Sequence, residues 1–342
     1  MKKVSVIIPC YNVDSYLERC WESLKRQTLG MEDLECIFVN DASTDNGHTL
    51  SQLTRIEEEY PESVMIVNLS ENGGPGNARN IALEYASAEY FQFLDADDEL
   101  REDTCLKLYT LATENNADII QFNHLYILGD RKRSSSNSKE NRLYMIKDHN
   151  DRTAFLNATL VTYGCTNKFY RTDLVKKAQV SFPVGLRYEE PLFVYPLFLY
   201  ADRVYLLNDE LYFYYFREGS MVTSLLGKRI LDHPRVQLML LEDLMSRGSL
   251  FDEYKDVIEL YFLWSFYCET ISFASENEDA VLTLDFFSYM QEVCRTFFPG
   301  WKDNPYLKQL SEGGRTLLST IDITFGSDAE LAQFIKKARG LI

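Results

Sequence analysis

No C-x-x-C pair and no H-E-x-x-H spacing occurs in this chain. Its seven cysteines (Cys10, Cys20, Cys36, Cys105, Cys165, Cys268, Cys294) are an odd number and widely scattered. That argues against a disulfide framework and against a zinc site. The four histidines are equally dispersed, so each reads as a surface or structural residue. Positive charge is in deficit: 35 basic against 52 acidic residues give a net charge of −17. Nucleic acid needs a basic footprint and is excluded as an expected partner. Electrostatic attachment to anionic lipid is disfavoured. Long apolar runs are also missing. The longest, Pro191 to Ala201, is about half a membrane span and carries two prolines. Met1-Lys2-Lys3 and the apolar run behind it end too soon, at Pro9, for a secretory leader. The expected location is the cytoplasm, with the inner face of the membrane as the alternative.

What is present starts with Tyr90-Phe91-Gln92-Phe93-Leu94-Asp95-Ala96-Asp97-Asp98. An apolar strand runs into three carboxylates with no local counter-charge. Carboxylates this close repel one another unless a cation sits between them. Hard oxygen ligands suit Mg²⁺ or Mn²⁺, and ligands bind beyond the carboxyl ends of strands in open α/β sheets. This predicts a metal–diphosphate site at Asp95 and Asp97. The competing reading is a helix start, where Asp is a good cap.

Around that stretch, strand and helix alternate. Val4–Ile8, Cys36–Val39 and Val64–Val67 are β-branched or apolar runs that suit buried strands. Ser15 with Glu18 forms a capping-box pattern, and Leu17, Cys20, Trp21 and Leu24 share one helical face. Leu50, Leu53 and Ile56 mark a second helix. Asn72-Gly73-Gly74-Pro75-Gly76 precedes a third, with Ala78, Ile81, Ala82 and Tyr85 on its face; such a turn lets a phosphate approach backbone N–H groups. Four repeats predict a parallel sheet flanked by helices. Gly129–Lys139 reads as a polar, Ser-rich surface loop. Glu189-Glu190-Pro191 opens an apolar helix, either complementing its dipole or projecting a general base. Beyond about Ser224 only helical periodicity remains, with Leu260, Leu263, Trp264 and Tyr267 as a core stripe.

Together these pieces resemble the family-2 inverting glycosyltransferases of the GT-A fold, of the bacterial surface-polysaccharide type. The resemblance rests on Val4 through Asn12, Val39 through Asp45, Asn72 through Asn80 and Phe93 through Asp98. Thr166-Asn167-Lys168-Phe169-Tyr170, Glu189-Glu190 and Phe216-Arg217-Glu218-Gly219-Ser220 fit more loosely. It implies an α/β, Rossmann-like, mostly parallel sheet over residues 1–222 and a helical C-terminal region over 223–342. Pro9 and Tyr11 then face the nucleotide base, Asp41 the uracil edge and Arg79 the nucleotide, with Asn12, Gly74, Asp95 and Ala96 completing the contacts. Asp95 and Asp97 match the D-x-D pair that holds Mn²⁺ or Mg²⁺. Glu190 falls on the catalytic base, with Glu189 as the alternative. The pattern here is Glu-Glu where many members have Glu-Asp, and no His stands near Tyr214–Arg217 to complete a metal shell.

The implied activity is metal-dependent, inverting transfer of a sugar from a nucleotide-diphosphate donor. A UDP-sugar is the favoured donor, and the acceptor is a glycan or lipid-linked hydroxyl. The alternative is a nucleotide-sugar-binding module without turnover that acts through its helical tail. Peripheral membrane contact and oligomerisation through that tail stay open.

Overall fold

The computed structural model describes residues 2–158, 160–216, 229–277 and 281–341. The chain divides into two compact units, Met1–Phe155 with Thr159–Arg217, and Leu156–Ala158 with Glu218–Ile342. The boundary expected at 222/223 lies outside the described residues.

The first unit is built on one mixed sheet. Strands β1 (Val4–Cys10), β2 (Leu34–Asn40), β3 (Val64–Asn68) and β4 (Tyr90–Phe93) are parallel, in the order β3-β2-β1-β4. Helices α1 (Asp14–Lys25), α2 (His48–Glu59) and α3 (Gly74–Tyr85) connect them, as right-handed crossovers between parallel strands require. Strands β1 and β4 are almost wholly buried, which explains their continuous apolar runs. The sheet continues through a short strand β5 (Glu99–Leu100), helix α4 (Thr104–Asn115) and strands β6 (Ile119–Leu128), β7 (Arg131–Ser134) and β8 (Arg142–Met145). Helix α5 (His149–Asn157), strand β9 (Lys168–Arg171), helices α6 (Thr172–Ala178) and α7 (Glu190–Tyr200), and strand β10 (Arg203–Tyr215) complete it. Strand β9 is antiparallel to β4 and β6, and β10 is parallel to β6 and antiparallel to β5 and β8. The fold is α/β of the GT-A kind, with a helical region after it.

Several local expectations are corrected. The capping box at Ser15 does not form: α1 starts at Asp14, and the Val13 N–H donates to Thr49 Oγ1 at 3.0 Å. Glu18 instead pairs with Arg55. Leu50 is exposed. The face of α3 is rotated, with Gly76, Ala78, Arg79 and Ala82 buried and Tyr85 exposed. Residues 131–134, expected in a loop, are strand β7 paired with β6. All seven cysteines are free and buried, as reduced core cysteines are.

The second unit is helical: α8 (Asp232–Ser246), α9 (Ser249–Glu253), α10 (Lys255–Phe262), a π-helical segment (Leu263–Glu269), α11 (Thr270–Glu276), α12 (Leu284–Phe297), α13 (Glu312–Ser319) and α14 (Asp328–Ala338). Of the expected stripe, Leu260, Leu263 and Tyr267 are buried in its core, whereas Trp264 is half-buried. Among the described residues, no helix is long and apolar enough to cross a membrane.

Candidate functional site

The loops beyond the carboxyl ends of β1, β2 and β4 and the start of α3 gather most of the expected residues. Asn12, at φ 52°, joins the first two loops. Its Oδ1 accepts the Thr44 N–H at 2.7 Å, and its own N–H donates to Ser43 Oγ at 3.1 Å. Pro9 is half-buried, whereas Tyr11 is 44% exposed. Asp41 is buried, and its two carboxylate oxygens accept the N–H groups of Gly73 at 2.9 Å and Gly74 at 2.8 Å. It therefore shapes the glycine turn directly. Gly74 has φ +83°, a conformation that favours glycine.

The acidic turn after β4 does not start a helix. It leads into β5, which pairs with β10. Asp95 and Asp97 are partly exposed, Ala96 and Asp98 are buried. Asp98 accepts the Tyr212 O–H at 2.7 Å and the Tyr215 N–H at 2.9 Å. Burial, reinforced by Asp95, pushes its carboxyl up to about 7. Asp98 thus pins β10 to the turn, which leaves Asp95 and Asp97 as the outward carboxylates. Arg19 holds the turn from α1 by donating to the Asp97 carbonyl, a contact that nothing in the local sequence pattern announces.

Arg79 is the residue that joins the site. Its side chain is 4% exposed. Nη2 donates to Asp95 Oδ1 at 2.8 Å and Nη1 to Glu189 Oε1 at 2.7 Å. The guanidinium lies 5.8 Å from the Phe93 ring centroid and 5.5 Å from that of Phe182. One buried cation therefore holds two carboxylates 94 positions apart, 95 and 189, in a fixed arrangement. Burial raises the Glu189 carboxyl, Arg79 opposes this and Glu190 adds to it; the net shift is upward.

Glu190, at the start of α7, is half-buried and accepts the Cys165 N–H on Oε1 at 2.8 Å. Glu189 is buried and bound to Arg79, whereas Glu190 keeps partial exposure. Tyr126 of β6 and Tyr214 of β10 lie with ring centroids 5.6 Å apart; burial raises both phenols, and Glu190 adds to the rise. Arg217–Ser220 lie outside the described residues. The histidine that comes near this region is His124 on β6, 4.9 Å from the Tyr212 ring. It is buried, hydrogen-bonded to Thr166 Oγ1 at 3.0 Å, and burial drives it down to about 3.

Among the described residues, no three His, Cys, Asp or Glu side chains converge as a metal cage. Two outward carboxylates still fit Mg²⁺ or Mn²⁺, since such ions are usually held by one or two carboxylates together with substrate phosphates.

The Glycosyl transferase family 2 profile matches residues 5–178. Poly(ribitol-phosphate) beta-glucosyltransferase of Bacillus spizizenii is 30% identical over 213 residues, 62% of this chain and 32% of that protein. Poly(ribitol-phosphate) beta-N-acetylglucosaminyltransferase TarS of Staphylococcus aureus is 31% identical over 229 residues, 66% of this chain and 37% of that protein. The chain thus spans about a third of the length of these curated relatives. The crystal structure of S. aureus TarS 1–349 with UDP-GlcNAc superposes with TM-score 0.73 at 23% identity, covering 98% of this chain and 91% of that one. At that identity the likeness establishes the fold.

Proposed function

Since this chain belongs to glycosyl transferase family 2, we propose that it transfers a sugar, with inversion, from a UDP-sugar to a hydroxyl of a bacterial wall polysaccharide. The observation that supports this reading is the Arg79 bridge, in which one guanidinium binds both Asp95 of the acidic turn and Glu189 of the glutamate pair. Poly(ribitol phosphate), named for two relatives, is the acceptor chemistry we favour. The donor assignment draws support from the UDP-GlcNAc bound by the TarS structure.

In this reading Tyr11 stacks on the base, with Pro9 beside it. The backbone of the Gly73–Gly74 turn, set by Asp41, approaches the nucleotide. Asp95 and Asp97 would hold a divalent cation, which when bound supplies positive charge to the departing diphosphate. Glu190 removes the proton of the acceptor hydroxyl. The freed oxygen forms its bond to the anomeric carbon from the face opposite the diphosphate. The bond from that carbon to the phosphate oxygen breaks, and UDP leaves with the electron pair. A positioned base of this kind is worth about 10²–10⁴ in rate.

Calorimetric titration with a panel of nucleotides and nucleotide sugars, in Mn²⁺ and then in EDTA, tests the donor side. UDP compounds should bind only with metal, and absence of any nucleotide binding sinks the proposal. Glu190→Gln should keep donor affinity and lose transfer by roughly a hundredfold or more. Full activity in that variant moves the base elsewhere.

A further inference from the structure

The Thr166-Asn167-Lys168 stretch has no role in the chemistry above, yet Lys168 is fully buried. Its ammonium donates to Gly164 O at 2.5 Å, Asn167 Oδ1 at 2.9 Å and Thr162 Oγ1 at 3.2 Å. All three are neutral acceptors, and an ammonium has three protons to place. A buried charge without a touching counter-ion is costly, so a neutral side chain would serve better if the role were only to staple the loop. Gly164 O and Cys165 N belong to one peptide group. That same Cys165 N–H donates to Glu190 Oε1 at 2.8 Å. Ammonium, peptide and carboxylate therefore form one hydrogen-bonded chain. A cation on the carbonyl polarises the amide and strengthens the N–H as a donor to an anion.

We infer that Lys168 is a positioning residue for Glu190, acting through the Gly164–Cys165 peptide to hold that carboxylate in place. The inference rests on Glu190 being the base. Burial pushes Lys168 down to about 7, while Glu190 and Cys165 pull it up. The groups facing Glu190 are Lys168 and Tyr170 of β9, Arg79 of α3, Tyr126 of β6, Tyr214 of β10, Cys165 and the adjoining Glu189. Lys168 is faced by Glu190, Cys165 and His124. Among the groups facing Glu190, Lys168 and Arg79 bring positive charge, and Arg79 is already bonded to Asp95 and Glu189. Removing the lysine charge should therefore show in the pH dependence of turnover as well as in its rate.

The test compares Lys168→Gln, Lys168→Met and Thr162→Val in the full chain, following UDP release from UDP-GlcNAc with poly(ribitol phosphate). Both lysine variants should lower kcat about tenfold or more at neutral pH, with donor KM within roughly twofold. They should also move the acid limb of the kcat profile up by about half a unit or more. Thr162→Val removes one acceptor and keeps the charge, so it should lower Tm without moving the limb. Gln retains a donor to Gly164 O and decides the matter if the Met variant fails to fold. An acid limb in folded Lys168→Gln that coincides with the wild type, or that moves equally in Thr162→Val, overturns the inference. Glu190→Gln run alongside separates this from failure of the base assignment itself, which would show as retained turnover in that variant.

Discussion

Arg79 carries more of the site than its place in the sequence suggests. Asn72 through Asn80 marks a loop and a helix start, and a guanidinium there reads as a ligand contact. In the fold it lies inside, between two aromatic rings and two carboxylates. Breaking a buried pair by removing one partner typically costs about 3–5 kcal/mol. Asp95 keeps some exposure, so Arg79→Met should sit at the lower end, roughly 3 kcal/mol by urea denaturation. A loss below about 1 kcal/mol would show that solvent already screens the triad. Asp97 is partly exposed; Asp97→Ala should leave the chain folded while metal-dependent UDP binding disappears in calorimetry. Unaltered affinity would remove it from the metal site.

At the scale of elements, the glycine turn and α3 are set by contacts that local pattern cannot report. A Cβ on Gly76 would stand 2.9 Å from both Phe182 Cβ and Pro183 O, and 3.3 Å from Glu189 Cγ. Gly76→Ala should therefore destabilise by about 1–3 kcal/mol. Because it presses on Glu189, it should also weaken turnover more than nucleotide affinity. Equal stability of the variant in thermal melts would mean that the 182–183 segment yields. The failed capping box at Ser15 has a similar origin, since Arg55 of α2 pairs with Glu18 from outside α1. Strand β7 formed where a Ser-rich loop was expected, because β6 extends to Leu128 and offers an unpaired edge. Tertiary partners decided both, and neither lies within a local window of sequence.

Over the whole molecule, buried His124 makes folding sensitive to acid. It is neutral in the fold, with a pKa near 3, and titrates near 6.5 when unfolded. Its stabilising contribution is complete above 6.5 and is lost as pH falls from there toward 3. Between pH 7.5 and 4.5, the wild type should lose on the order of 2 kcal/mol more than His124→Gln, read from paired denaturation curves. Parallel pH dependence in the two would assign the acid sensitivity to carboxylates. The sequence by itself determined the strand–helix alternation, the parallel first four strands, the family and the list of chemically suitable residues. Those signals are local: apolar runs, helical spacing, glycine turns and clustered carboxylates. Tertiary structure alone decided which carboxylates face outward, that Asp98 and Arg79 turn inward, and that a peptide group links Lys168 to Glu190. Burial and pairing depend on residues scores of positions apart, and no local periodicity encodes which of them meet.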